Sequence, residues 1–379
     1  MKKIFTIMAM LMLTVGIFAQ DLAVSMKTDK LAGNNITLKL VAGGSGTFSI
    51  DWGNGILLPY TISASAGSPT TITQATPVDN AEIKLYVDAK YITYLDCNTN
   101  ELTELDITPS STFTTLNCYN NKLTALDITT NPNLAVLQCY NNQITTLDFT
   151  NSSKLWRIYC WSNKITTFTN FENLVALKDF SSRINPLSHG YNISGISTLE
   201  TFAIQNNNIT SLDVTGCTAL TTLTIHNEGP TYANNFDACA LDALYSTLPD
   251  RTGKTTGNLR VLYYSTANPV WDNIAEVNGS DKTIATAKNW NVTIRNNSTS
   301  IFTGDGGACI STNNLAPEST PFNLYPNPTK GLVQINITGE IAGRQLRVLD
   351  ITGRLMKERA VTAAKMTLDT SDFPKGIYF

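Results

Sequence analysis

Leu116-Asn117-Cys118-Tyr119-Asn120-Asn121-Lys122-Leu123-Thr124-Ala125-Leu126 decides the fold, because its pattern, Leu-x-Cys-x-x-Asn-x-Leu/Ile-x-x-Leu, returns at a fixed interval on either side. Cys97, Cys118, Cys139 and Cys160 mark that interval without a slip. A chain that repeats itself at so short a period builds a solenoid, in which each coil buries its apolar edge only against its neighbours.

The register extends beyond the cysteines. One apolar row runs through Ile92, Phe113, Leu134, Leu155, Leu174, Leu199 and Leu220, and a second through Leu95, Leu116, Leu137, Ile158, Leu177, Phe202 and Leu223. The cysteine row continues as Asp179, Ile204 and Ile225. A row of Asn100, Asn121, Asn142, Asn163 and Asn207 follows, with Ser182 standing in for the fifth coil. In this frame the anchors keep one spacing from Leu95 through Leu116 and Leu137 to Ile158. The step to Leu177 is short, the step to Phe202 is long, and the regular spacing returns at Leu223, so the irregularity falls between Phe180 and Ser197.

The pattern resembles the leucine-rich repeat. That resemblance implies an α/β, mostly β fold, in which short strands pair as a parallel ladder and the Asn amide satisfies backbone groups at each inward corner. Side chains alternate across a strand, so the residues flanking the cysteine row point away from the core. Tyr119, Tyr140, Trp161 and Phe180 are thereby predicted to form an aromatic stripe on the concave face. Tyr159, Trp156 and Arg157 are expected beside it, with Asn120 and Asn141 on its flank. An exposed aromatic patch bordered by amides points to recognition of a protein or glycan. The competing expectation is that the rings only pair across strands, in an architectural or self-associating protein without a discrete ligand.

Three readings of the four cysteines compete. Equivalent residues on parallel strands lie about 4.8 Å apart, whereas a disulfide wants Cβ atoms near 3.8 Å and zinc wants tetrahedral convergence. Buried thiols acting as small hydrophobes fit the ladder best. Off the regular interval, a Cys217–Cys239 bridge is conceivable. Asp106, Asp127, Asp148 and Asp213 each follow the last apolar residue of a coil and read as turn residues, with a calcium role for the row as the lesser alternative. The only histidines, His189 and His226, sit in no catalytic motif. No enzyme activity, cofactor or metal is expected. With 27 basic and 30 acidic residues and no basic patch, a nucleic-acid partner is not expected either.

Outward from the repeats, residues 1–20 combine Lys2 and Lys3 with an apolar run and Ala19, the pattern of a secretory signal peptide. Residues 21–88 alternate like β-strands, with a Gly53-Asn54-Gly55 turn whose Asp51-Trp52-Gly53-Asn54-Gly55 surroundings resemble the hairpin of PKD-type modules. They would cap the solenoid of residues 89–295. Its far end is expected to carry a helix over Cys239–Leu248, a strand over Asn258–Tyr264 and a second helix from Asp281 through Trp290. Residues 296–321 read as a linker. The last stretch, 322–379, contains Tyr325-Pro326-Asn327-Pro328-Thr329-Lys330-Gly331, Asp350-Ile351-Thr352-Gly353-Arg354 and Pro374-Lys375-Gly376-Ile377-Tyr378-Phe379. Those words resemble the C-terminal sorting domain of the type IX secretion system, a small β-sandwich. The resemblance implies carriage to the cell surface or exterior by that machinery, read through Pro326, Asn327, Pro328, Gly331, Gly353, Lys375 and Gly376. In the family the chain continues beyond the Lys-Gly-Ile-Tyr-Phe strand, so the domain is expected to be incomplete here.

Overall fold

The computed structural model describes residues 21–44, 46–62, 68–87, 92–187, 191–227, 231–263 and 279–295, together with 322–325, 332–337, 345–349, 355–360, 362–363, 365–369 and 371. The expected signal peptide, the linker and all seven sorting-motif residues lie outside the described residues. The chain divides into two compact units, residues 1–310 and 311–379.

The first unit is organised by one sheet. Strands β7 (Ile92–Asp96), β9 (Thr115–Asn117), β10 (Val136–Gln138), β12 (Arg157–Tyr159), β14 (Asp179–Ser181), β16 (Thr201–Ala203) and β18 (Thr222–Thr224) pair in parallel, each with the next. Leu95, Leu116, Leu137, Ile158, Phe180, Phe202 and Leu223 are in register, all fully buried. A three-residue strand of this kind has almost no stability alone. Burial of one side chain per strand, repeated coil after coil, supplies it.

At each corner an asparagine joins two coils. Asn121 Oδ1 accepts from the backbone N–H of Asn100 and of Leu102, both at 3.0 Å, while its Nδ2 donates to Cys97 O (3.1 Å) and Cys118 O (2.9 Å). Asn142 and Asn163 donate in the same way, and each accepts from the apolar residue of the preceding coil, Leu123 and Ile144 at 3.0 Å. One buried amide thus answers polar groups that would otherwise be orphaned. The cysteines between these corners are fully buried free thiols, the ladder of small hydrophobes that the geometry favoured. Desolvation pushes the Cys139 thiol up to about 12. Cys217 is also a free thiol and Cys239 is disulfide-bonded, so no Cys217–Cys239 bridge forms.

The fifth coil corrects the sequence frame. Ile158 pairs with Phe180, and Phe180 with Phe202, so two coils of equal length replace the expected short one and long one. Leu174-x-x-Leu177-x-x-Phe180 offers two Leu-x-x-Leu-like frames, and the core takes the later one. Phe180 therefore points inward at 0 % exposure, not into the exposed stripe, and Asp179 leaves the thiol row for the outward face. Ser182 occupies the thiol row, and Asn185 is the corner asparagine, donating to Ser182 O (2.7 Å) and accepting from Ile165 N–H (2.9 Å).

Before the ladder, β1 (Asp21–Thr28), β3 (Gly46–Asp51), β4 (Leu57–Ile62) and β6 (Glu82–Val87) form an antiparallel sheet that β8 (Leu102–Asp106) joins at the β1 edge. Strands β2 (Asn35–Ala42) and β5 (Thr70–Ala75) extend the long sheet, with β2 antiparallel to β7, Leu40 opposite Leu95. Both sheets of this N-terminal portion therefore run on into the first coil, and its core is continuous with that of the solenoid. Its β3–β4 hairpin turns where Asp51 Oδ1 accepts from Gly53, Asn54 and Gly55 N–H, and buried Trp52 donates to the Tyr60 hydroxyl at 2.9 Å.

On the other side of each coil, β11 (Thr146–Asp148) pairs with β13 (Thr167–Thr169), and β15 (Tyr191–Asn192) with β17 (Leu212–Asp213). Asp106, Asp127, Asp148 and Asp213 accept from the backbone N–H two residues on, at Thr108, Thr129, Thr150 and Thr215 (2.8–2.9 Å), which makes them turn residues. At the far end lie α1 (Ala238–Thr247), β19 (Gly257–Tyr263), α2 (Lys282–Thr286) and β20 (Trp290–Arg295), with β19 and β20 continuing the parallel ladder. The second helix is shorter than expected. Lys288, Asn289 and Trp290 leave it because Trp290 is needed in the strand, buried against Gly257 and donating to Pro249 O at 2.8 Å.

In the second unit β21 (Phe322–Tyr325), β22 (Leu332–Ile337) and β25 (Lys365–Asp369) make one antiparallel sheet, and β23 (Gln345–Leu349) and β24 (Leu355–Ala360) another. Ile335, Leu368 and Val348 form a core shared by the two sheets, the expected β-sandwich.

Candidate ligand-binding face

The strands of the ladder read intermediate, buried, intermediate in accessibility at β10, β12, β14 and β16, so one side faces the core and the other faces out. The residue two before each corner asparagine forms a column, Asn98, Tyr119, Tyr140, Trp161 and Arg183, half-buried on the outward side, with Gln205 buried at its end. Strand spacing sets the rings one above another. Tyr119 and Tyr140 stack with centroids 4.4 Å apart, Tyr140 and Trp161 at 4.1 Å, both within 9° of parallel. The Arg183 guanidinium closes the stack 4.6 Å above Trp161. The three rings are half-buried: Tyr140 has a ring on both faces, Trp161 lies between Tyr140 and Arg183, and Tyr119 is covered on one face. Burial, followed by the neighbouring Tyr119, raises the Tyr140 hydroxyl above its ordinary pKa.

A second cluster sits one column away in the fourth and fifth coils. The Arg157 guanidinium lies over Trp156 at 4.5 Å and over Tyr159 at 5.5 Å. Its Nε donates to Asp179 Oδ2 at 3.1 Å, and the Tyr159 hydroxyl donates to the same oxygen at 2.6 Å. Desolvation first, then that hydrogen bond and the Asp179 charge, push the Tyr159 hydroxyl up to about 12. Asn120 and Asn141 are exposed at the strand exits with positive φ (54° and 53°), a conformation asparagine tolerates. They join each other, Asn141 Nδ2 donating to Asn120 Oδ1 at 2.7 Å. At the first coil, buried Asp96 accepts from the Asn98 amide and lies 3.7 Å from Lys39 of β2.

The structure thus gathers Tyr119, Tyr140, Trp161, Tyr159, Trp156, Arg157, Asn120 and Asn141 on or beside one face, and removes Phe180 from it. Arg183 takes the place of Phe180. Counting two residues back from Asn185, instead of forward from the leucines, finds it in the sequence.

Residues 323–379 match the family model of the secretion system C-terminal sorting domain. The protein is secreted or displayed at the cell surface, and this unit engages the type IX secretion machinery. No curated protein matches the chain. Among solved structures it is similar to the functional domain of InlJ from Listeria monocytogenes, described as including a cysteine ladder, at 21% identity and a TM-score of 0.33. That alignment covers 66% of this chain and 65% of the InlJ chain, a likeness too distant to bear on function. Among the described residues no helix is long and apolar enough to cross a membrane.

Proposed function

We propose that this secreted leucine-rich-repeat protein is a non-enzymatic binder that captures a protein partner on the outward face of its ladder. The stacked Tyr119–Tyr140–Trp161 column carries the reading. Three half-buried aromatic edges with a cation at one end form a rigid anchor surface of the kind that dominates protein interfaces. A glycan is the less favoured ligand, because a sugar ring stacks on an open aromatic face and both faces of Tyr140 and Trp161 and one face of Tyr119 are already taken. His226, 1 % exposed, is sealed within the last regular coil, which supports binding over chemistry.

The test is capture of purified extracellular proteins and printed glycans by the full chain, beside the triple variant Tyr119→Ala, Tyr140→Ala, Trp161→Ala. Loss of a captured protein by about a hundredfold or more, on the order of two strong anchor residues, supports the reading if the variant still unfolds cooperatively. Equal capture by the variant refutes it, and loss of self-association alone favours an architectural role.

A further inference from the structure

Among the described residues each acidic group on this face and its margin has a base beside it, while Arg183 and, at the far end of the ladder, Arg260 have no carboxylate beside them. Asp96 faces Lys39 at 3.7 Å, Asp179 faces Arg157 at 3.1 Å, and Glu200 faces Lys178 at 3.1 Å. Arg183 has no carboxylate partner among the described residues, and its Nε–H is buried without an acceptor. The cost of desolvating a charged donor is thus incurred in the free protein without a charge-assisted hydrogen bond in return. Stacking on Trp161 fixes the guanidinium plane. One period earlier, Arg157 is held by Trp156, Tyr159 and Asp179 through its ring contacts and Nε. Its two Nη groups have no acceptor among the described residues. Arg157, Lys178 and Arg183 against Asp179 and Glu200 leave one positive charge.

We infer that the partner is an acidic polypeptide segment whose carboxylate docks on the Arg183 guanidinium beside Trp161, with the Arg157 Nη edge as a second seat. This deepens the reading above and rests on it. A guanidinium already immobilised on aromatic rings loses little freedom when it binds a carboxylate, so orientation is supplied before the partner arrives. The segment's apolar stems then lie along the edges of Tyr140 and Tyr119.

The test is an array of matched peptides, each sequence printed once with Glu and once with Gln at its centre, with sulfated oligosaccharides beside them, probed with the full chain. Captured pairs are expected to favour the Glu member about tenfold. Arg183→Gln should abolish that preference without shifting the urea midpoint, and Arg183→Lys should restore part of it. Capture that disappears in the aromatic triple variant but shows no Glu preference overturns the acidic segment and leaves the binding face standing. Peptide capture indifferent to the triple variant overturns both, and no peptide capture at all overturns the acidic segment alone. Preferential capture of the sulfated oligosaccharides shows that the anion is not a peptide carboxylate and overturns the inference.

Discussion

The corner asparagine is the residue on which each coil depends. Asn142 satisfies Leu123 N–H, Cys118 O and Cys139 O, none of which has access to water. Replacing it by Ala orphans the Leu123 N–H and takes one of two side-chain donors from each carbonyl, Cys118 O keeping Asn121 and Cys139 O keeping Asn163. Asn142→Ala is expected to lower stability by about 1–3 kcal/mol, read as a drop in the urea midpoint at unchanged slope. The thiols give a pH signature. In the folded chain Cys139 is pushed from its ordinary 9.0 to about 12, so above pH 9 the unfolded chain loses a proton that the folded chain keeps. Stability is then unaffected by this group below pH 9 and falls between pH 9 and about 12, by about 1.4 kcal/mol per pH unit per thiol. Urea melts of wild type and Cys139→Ala across that range should show the shallower slope in the variant. A parallel slope rules out the thiol as its source.

At the scale of the element, the sequence revealed the strands, the thiol ladder and three of the stacked rings, because a strict repeat interval places like residues in columns. It misread the fifth coil because leucines recur every third position there and do not specify a frame, whereas Asn185 does, through hydrogen bonds only one register allows. Stacking energetics belong to this scale too. Tyr140 contacts a ring on both sides, so Tyr140→Ala should cost more stability than Tyr119→Ala, by about 0.5–1.5 kcal/mol, in paired thermal or urea melts. At the far end, a Cβ on Gly257 would come within 2.6 Å of the Trp290 ring. The sequence shows only a glycine before a strand; the reason for it lies in the next coil, far along the chain. Gly257→Ala should displace Trp290 and lower stability by about 1–3 kcal/mol, with a shift in Trp fluorescence that marks the displaced ring.

For the whole molecule, continuity between the N-terminal strands and the first coil was not legible, since the antiparallel match of β2 to β7 is a long-range pairing without a local signature. Removing residues 21–87 would expose the edge of β7 and the apolar cross-section of the first coil. Such a chain is expected to aggregate or to elute as large oligomers in size-exclusion chromatography, where the intact chain does not. The second unit acts in transport: a chain lacking residues 322–379 should remain inside the outer membrane in cell fractionation, with its solenoid folded. The change of strand direction at Leu40 and Leu95 also limits how such a protein diversifies. An antiparallel neighbour closes the series on that side, so growth by duplication has to insert whole periods farther along, and each copy of a ring-bearing coil brings one more ring to the wall. Lineages could therefore lengthen their recognition surface in discrete steps without redesigning either terminus.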